Sequence, residues 1–211
     1  MTRAQRAAKL HGIYAIVNET ASPNPVELTR AILDGGARIV QYRAKRGIVA
    51  EHLRTLRDLT RAHEALLIVN DDWRAVQAYD ADGVHIGPED AQPDELGPMR
   101  AALTDRLIGI SCGTPEEAQM AGAGDADYIG VGSVYATNSK ADAGDPIGIE
   151  GLTRIAAAAD LPVAAIGGIT LAHLREVRGS GVAMAAVISA IANASDPQAA
   201  TRALVGAWSS P

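Results

Sequence analysis

Asn70-Asp71-Asp72 follows directly on the aliphatic run 66–69. Two adjacent carboxylates repel each other, so such a pair calls for a cation or for separate duties. A second acidic pair, Glu89-Asp90, follows the apolar run GVHIG one βα unit later. Gln41, Arg43 and Lys45 alternate along QYRAK and therefore share one side of an extended strand. Ser111 ends LIGIS, Lys140 ends YATNSK, and Gly167-Gly168 and Ser189 end two further apolar runs. Carboxylates opposite cations suit Mg2+ and a polyphosphate, because Mg2+ takes one or two protein carboxylates and shares its other positions with water and phosphate oxygens. Small residues after a strand suit an anion held by backbone N–H groups. Cys112 has no evident base beside it, and the five histidines show no metal-ligand spacing. His85 reads as a packed residue. Taken singly, each feature has a plainer reading: a solvated Arg-x-Lys pair, a Gly-Gly turn, or Asp72 and Asp90 as helix caps.

The elements that must position these residues are legible as short apolar runs: IYAIV, ARIVQY, LLIVN, GVHIG, LIGIS, YIGVGS, VAAIGG and MAAVIS. Most lack strict alternation, as strands covered on both faces do. Helical signals lie between them. Asn24-Pro25 opens a helix that Asp34-Gly35-Gly36 stops. Val49, Leu53, Leu56 and Leu59 form one helical face, and Leu171, Leu174 and Val177 another. Thr114 with Glu117 reads as a capping box, and Asp196-Pro197 opens the last helix. Eight strands, each followed by a helical segment, predict an α/β fold, a (β/α)8 TIM barrel. The expected organisation is a single domain over residues 1–211, with 1–11 a flexible or helical N-terminal extension. A doubly wound open sheet is the alternative; no G-x-G-x-x-G follows the first strand, which weakens a dinucleotide-binding reading. In the barrel, all the residues named above leave strands at their C-terminal ends. Asp71 is then expected at the mouth, Asp72 as the cap of the next helix, and Trp73 against the barrel wall.

Composition narrows the class. The 211 residues are 47% hydrophobic and 21% charged, with a net charge of −6 and no Phe. That charge argues against general nucleic-acid or membrane-surface binding. One cysteine fits a reducing, cytoplasmic setting. The N-terminal stretch has no continuous apolar segment of signal-peptide or membrane-span length. Small-molecule partners are expected, and a homo-oligomer is compatible with the sequence.

These residues resemble the thiamine-phosphate synthase family almost end to end. QYRAK resembles its Gln-x-Arg-x-Lys. VNDDW and ADGVHIGPED resemble its Asn-Asp and Asp-Gly-Val-His segments. IGIS with TPEEA, DYIGVGSVYATNSK, AIGGI and AVISAI follow in order. The resemblance implies coupling of 4-amino-2-methyl-5-(diphosphomethyl)pyrimidine with a thiazole phosphate, by dissociative loss of pyrophosphate. It implies Mg2+ on Asp71 and Asp90. It implies pyrophosphate held by Arg43, Lys45, Asn70 and Lys140, with Ser111 near the leaving oxygen; Arg43, Ser111 and Lys140 would be the catalytic set. The whole segment Gln41, Tyr42, Arg43, Ala44 and Lys45 would contact substrate, Gln41 positioning the pyrimidine. Thr137, Asn138 and Ser139 would lie on the thiazole side. Gly168, Ile188 and Ser189 would bind the thiazole phosphate through backbone N–H groups.

Three positions depart from the family pattern: Cys112-Gly113 where His-Thr is common, Tyr135-Ala136-Thr137 where Phe-Pro-Thr is common, and Val17-Asn18-Glu19 at the end of the first strand. Without the proline, the stretch after Tyr135 is expected to be more mobile. A thiazole tautomerase-like relative is the near rival, but it depends on a histidine where Cys112 stands. A non-catalytic barrel that holds a phosphorylated ligand is the other alternative.

Overall fold

The computed structural model describes residues 1–22, 24–87, 93–137, 139 and 144–210. Among these, eight parallel strands close into a barrel in sequence order, β1 to β8. The strands are β1 (Gly12–Asn18), β2 (Ile39–Arg43), β3 (Leu66–Asn70), β4 (Gly83–Ile86), β5 (Leu107–Cys112), β6 (Tyr128–Val131), β7 (Val163–Ile166) and β8 (Met184–Val187). Closure is the pairing of Gly12 with Met184 through Ala15 with Val187. The helices are α1 (Arg3–Ala7), α2 (Pro25–Asp34), α3 (Ala50–Ala62), α4 (Trp73–Ala78), α5 (Pro93–Ala102), α6 (Pro115–Ala123), α7 (Gly148–Ala158), α8 (Leu174–Gly179), α9 (Ser189–Ala192) and α10 (Pro197–Ser209). The expected barrel is the observed one, and an open sheet is excluded. No helix among the described residues is long and apolar enough to cross a membrane.

Strand alternation divides the core in two. Ile16, Ile39, Leu66, Ile68, Leu107 and Met184 point inward and pack with Tyr14 and Tyr128 inside the barrel. Val17, Val40, Tyr42, Leu67, Val69 and Val84 point outward and pack under the helices. Both faces are dry, which is why the strands read as continuous apolar runs.

Local chemistry sets the helix ends. Asn24 Oδ1 accepts from Glu27 N (2.9 Å), and Pro25 needs no N–H at the first helical position. Asp72 Oδ1 accepts from Ala75 N (3.1 Å) and caps α4 as expected. Three expectations are adjusted. Val49 is the N-cap of α3 and 42% exposed, so the buried stripe is Leu53, Leu56 and Leu59. Leu171 sits in a 3-10 turn ahead of α8, leaving Leu174 and Val177 as its buried face. Thr114 caps α6, but Glu117 Oε2 accepts from Gly113 N (2.6 Å) in place of Thr114 N. The reciprocal bond of the capping box has slipped back by one residue.

The floor of the barrel is ionic. Asp82 and Asp127 stand immediately before β4 and β6, in the repeated pair Ala-Asp. Asp82 is fully buried and takes Arg6 Nε (2.9 Å), Arg57 Nη1 (2.6 Å) and Leu67 N (3.0 Å). Asp127 takes Arg3 Nε (2.5 Å), Arg100 Nη2 (2.7 Å) and Ile108 N (2.8 Å). Each carboxylate therefore ties its own strand to the preceding one and accepts one arginine from α1. Leu10, after α1, joins the apolar interior of the barrel. Burial pulls the Arg57 and Arg100 guanidiniums below their ordinary pKa, and the neighbouring carboxylates oppose that shift. Asp82→Ala leaves two buried guanidiniums facing an empty site and is expected to destabilise the fold by about 3–5 kcal/mol. Urea unfolding checks this; a midpoint unchanged from wild type would mean the cluster contributes nothing net.

Candidate active site

At the opposite end, the C-terminal tips of the strands surround a cavity of about 310 Å3. Its lining includes Arg43, Lys45, Asn70, Asp71, His85 and Ser111 on the β2–β5 side, and Gly168, Ile188 and Ser189 on the β7–β8 side. A second cavity of about 730 Å3 adjoins it, lined also by Asn18, Thr20 and Asn193. Thr137, Ser139, Gly168, Ile188 and Ser189 line both cavities. Their volumes suit small organic ligands.

Each polar group arrives by the period of its strand. Arg43 is the last inward position of β2. Its Nη1 approaches Asn18 Oδ1 at 3.5 Å, and its Nε is buried with no hydrogen-bond partner among the described residues. A buried, incompletely satisfied cation beside a cavity favours an anionic ligand. Asp71 adopts φ 64°, a left-handed conformation uncommon for any residue but glycine. Such strain clusters where a side chain must be aimed. It directs Asp71 Oδ2 to Lys45 Nζ at 2.6 Å, with the two side chains 37% and 52% exposed. At that exposure the pair adds little stability, so both groups are available to a ligand.

Gly167 and Gly168 have φ 104° and 64°. A Cβ at Gly167 would lie 2.0 Å from Ser133 Oγ, and one at Gly168 2.6 Å from the Ala136 carbonyl. Conformation and close approach thus both require glycine here. The β6–α7 loop crosses them, pinned by Val134 N to Ile166 O (2.9 Å) and Tyr135 N to Gly167 O (3.0 Å). Tyr135 also stacks on His173 at 4.0 Å and donates to Glu176 Oε2 at 3.0 Å. The base of this loop is held by stacking and hydrogen bonds where the family pattern has a proline. Ser139 N donates to Thr137 Oγ1 (3.1 Å), and both residues line the cavity.

Not every predicted site residue faces the cavity. Gln41 is 3% exposed and donates Nε2–H to Tyr14 Oη at 2.7 Å, below the cavity. The Tyr42 ring points outward among the helices, its hydroxyl 3.3 Å from His52 Nδ1. Ala44 packs against the outer core. Asp90, Asn138 and Lys140 lie outside the described residues. His85 was not expected at the site, yet it lines the cavity, with Nε2 3.1 Å from Ser111 Oγ. The signal was available: His85 stands two residues before Gly87, on the inward alternation of β4. Cys112 faces outward from β5 and is buried; burial, then Glu117, pushes its thiol up to about 11. A thiol so protonated is a poor nucleophile at neutral pH.

Among the described residues, no three His, Cys, Asp or Glu side chains cluster as a metal site. Mg2+ needs only one or two carboxylates, and Asp71 at the cavity fits that requirement.

A parallel (β/α)8 barrel with polar residues converging at its strand C-termini, glycines after β7 and a short helix after β8 is the architecture of a barrel enzyme. Comparison with known proteins specifies which kind. The thiamine monophosphate synthase family model matches residues 13–191, and the chain belongs to that family of transferases. Thiamine-phosphate synthase of Roseiflexus castenholzii is 43% identical over 198 residues, covering 91% of this chain and 86% of that protein. Its counterpart from Archaeoglobus fulgidus is 43% identical over 92% of this chain and 91% of its own length. Among solved structures, thiamine phosphate pyrophosphorylase from Pyrococcus furiosus superposes with a TM-score of 0.85 at 38% identity, covering 96% of each chain.

The adjacent acids Asp71 and Asp72 have separate surroundings, and substitution should separate them. Asp72→Ala removes the α4 cap and is expected to lower stability by about 1 kcal/mol with turnover retained. Thermal unfolding and a turnover assay on the same preparation check it; lost turnover at unchanged stability would reassign Asp72 to the site.

Proposed function

We propose that this chain is a thiamine-phosphate synthase. It joins 4-amino-2-methyl-5-(diphosphomethyl)pyrimidine to a thiazole phosphate, or to its carboxylate with loss of CO2, giving thiamine phosphate and pyrophosphate. One observation carries the reading: Arg43, Lys45, Asn70, Asp71 and Ser111 share a cavity with Gly168, Ile188 and Ser189. Groups suited to a diphosphate therefore face groups suited to a phosphate across a single space. Family membership supports this choice of substrates.

The methylene C–O bond breaks first, and its electron pair leaves with the pyrophosphate. The thiazole nitrogen lone pair then forms the new C–N bond. Arg43 and Lys45 hold the phosphate oxygens, Asn70 donates its amide, and Ser111 donates toward the leaving oxygen. Lys140, whose role comes from the family resemblance, would add a further cation for the pyrophosphate. Backbone N–H groups at Gly168, Ile188 and Ser189 hold the thiazole phosphate, with Thr137, Asn138 and Ser139 beside it. Asp71, with Asp90, would hold Mg2+, which would supply positive charge to offset that of the departing pyrophosphate. A tautomerase reading has no support at Cys112, where a buried, protonated thiol replaces the required histidine.

The test supplies both substrates with and without Mg2+ and follows thiamine phosphate and pyrophosphate together. Both products are expected only with both substrates and the metal present. Pyrophosphate without thiamine phosphate, or neither product, would sink the proposal. Asp71→Asn is expected to raise the Mg2+ concentration needed for half-maximal turnover and to lower the rate at least about tenfold. Wild-type metal dependence in that variant would remove Asp71 from the ligand set.

A further inference from the structure

From beneath the cavity up to its lining, five polar side chains joined by four hydrogen bonds cross the apolar interior in one unbroken line. Gln41 Nε2 lies 2.7 Å from Tyr14 Oη, and Tyr14 Oη 2.9 Å from Tyr128 Oη. Tyr128 Oη is 3.2 Å from His85 Nδ1, and His85 Nε2 3.1 Å from Ser111 Oγ. The barrel makes room for this line. A Cβ on Gly109 would sit 2.1 Å from Tyr128 Cζ, and one on Gly130 2.9 Å from His85 Cε1. In the parallel register His85 stands beside Gly109 and Gly109 beside Tyr128, so both rings extend over positions without side chains.

The line has a direction. An amide N–H only donates, so Tyr14 Oη accepts from Gln41. Tyr14 is wholly enclosed, and among the described residues the acceptor its own proton reaches is Tyr128 Oη. A buried hydroxyl left without an acceptor is unfavourable, which sets this orientation above its reverse. Tyr128 must then donate to His85 Nδ1. The imidazole proton is left on Nε2, where it donates to Ser111 Oγ. Burial raises both phenols above their ordinary pKa, Tyr128 well above, so both stay protonated as donors.

We infer that the Gln41–Tyr14–Tyr128–His85 line fixes the Nε2–H tautomer of His85 and so makes Ser111 a hydrogen-bond donor toward the bound ligand. Tyr14, Tyr128 and His85 are positioning residues, acting through Ser111. The polarity is opposite to that of a Ser-His-Asp triad. There a carboxylate accepts from Nδ1–H and leaves Nε2 as a base for the serine. Here a phenol donates to Nδ1, so Nε2 cannot take the serine proton. A Ser-His contact that resembles a hydrolase pair is thereby converted into a site for a departing anion.

The tautomer claim stands on the apo protein alone; the consequence for turnover rests on the proposed synthase activity. Heteronuclear NMR of the histidine side chains, with the His85 signals identified by their loss in His85→Gln, reads the tautomer directly. The Nε2–H form is expected in wild type, shifting toward the Nδ1–H form in Tyr128→Phe. In turnover, Tyr128→Phe is expected to lower kcat about tenfold while KM for the diphosphate substrate stays within about twofold. His85→Gln, which keeps a side-chain N–H, should retain more activity than His85→Leu. An Nδ1–H tautomer in wild type, or wild-type kcat in Tyr128→Phe, would overturn the inference. Wild-type protein that makes no thiamine phosphate would overturn the functional reading and leave the tautomer result standing.

Discussion

In a closed parallel barrel the inward positions of the strands are finite, and every function placed inside must share them. Eight short parallel strands, whose side chains alternate inward and outward, supply a few rows of side chains between floor and mouth. Here the lower rows are aliphatic, the middle row carries Tyr14, Tyr128 and His85, and the upper positions carry Arg43, Asn70 and Ser111. The gradient from apolar to charged is what lets a strong field develop at the mouth. Charges there stand over a dry interior that screens them poorly.

The two ends handle charge in opposite ways. At the floor, Asp82 and Asp127 are each saturated by two arginines and a backbone N–H, so the field closes on itself and the helices are bound to the strands. At the mouth, Arg43 keeps a buried Nε without a partner among the described residues, and Lys45 pairs with an exposed Asp71. Satisfied charges at one end hold the fold, and incompletely satisfied ones at the other remain available to a ligand. Stability and binding capacity therefore reside in different residues of one scaffold.

Much of this was readable from local pattern. The eight apolar runs are the eight strands, because strands buried on both faces leave that signature. Asn24-Pro25 and Asp72-Trp73 announced helix starts because capping is a contact over three residues. What escaped the sequence depended on partners distant along the chain. Arg6 meets Asp82 across 76 positions, so α1 read only as an extension. Tyr42 shares QYRAK with two cavity residues, yet alternation turns it outward, to the helices. His85 lies on the inward face by the same alternation, but its contact with Ser111 needs two adjacent strands in register, which one sequence does not display. Asp90, Asn138 and Lys140, outside the described residues, keep their roles from the family resemblance alone.

The two glycines of the middle row have a consequence for how this barrel can diverge. Gly109 is empty because Tyr128 fills its space, and Gly130 because His85 does. Neither ring can be exchanged for a smaller side chain without opening a void, and neither glycine can gain a methyl group without displacing a ring. These four positions on three adjacent strands are one heritable unit. Substitutions there should appear in descendants together or not at all, so covariation among positions 85, 109, 128 and 130 would record the history of the line better than conservation at any one of them.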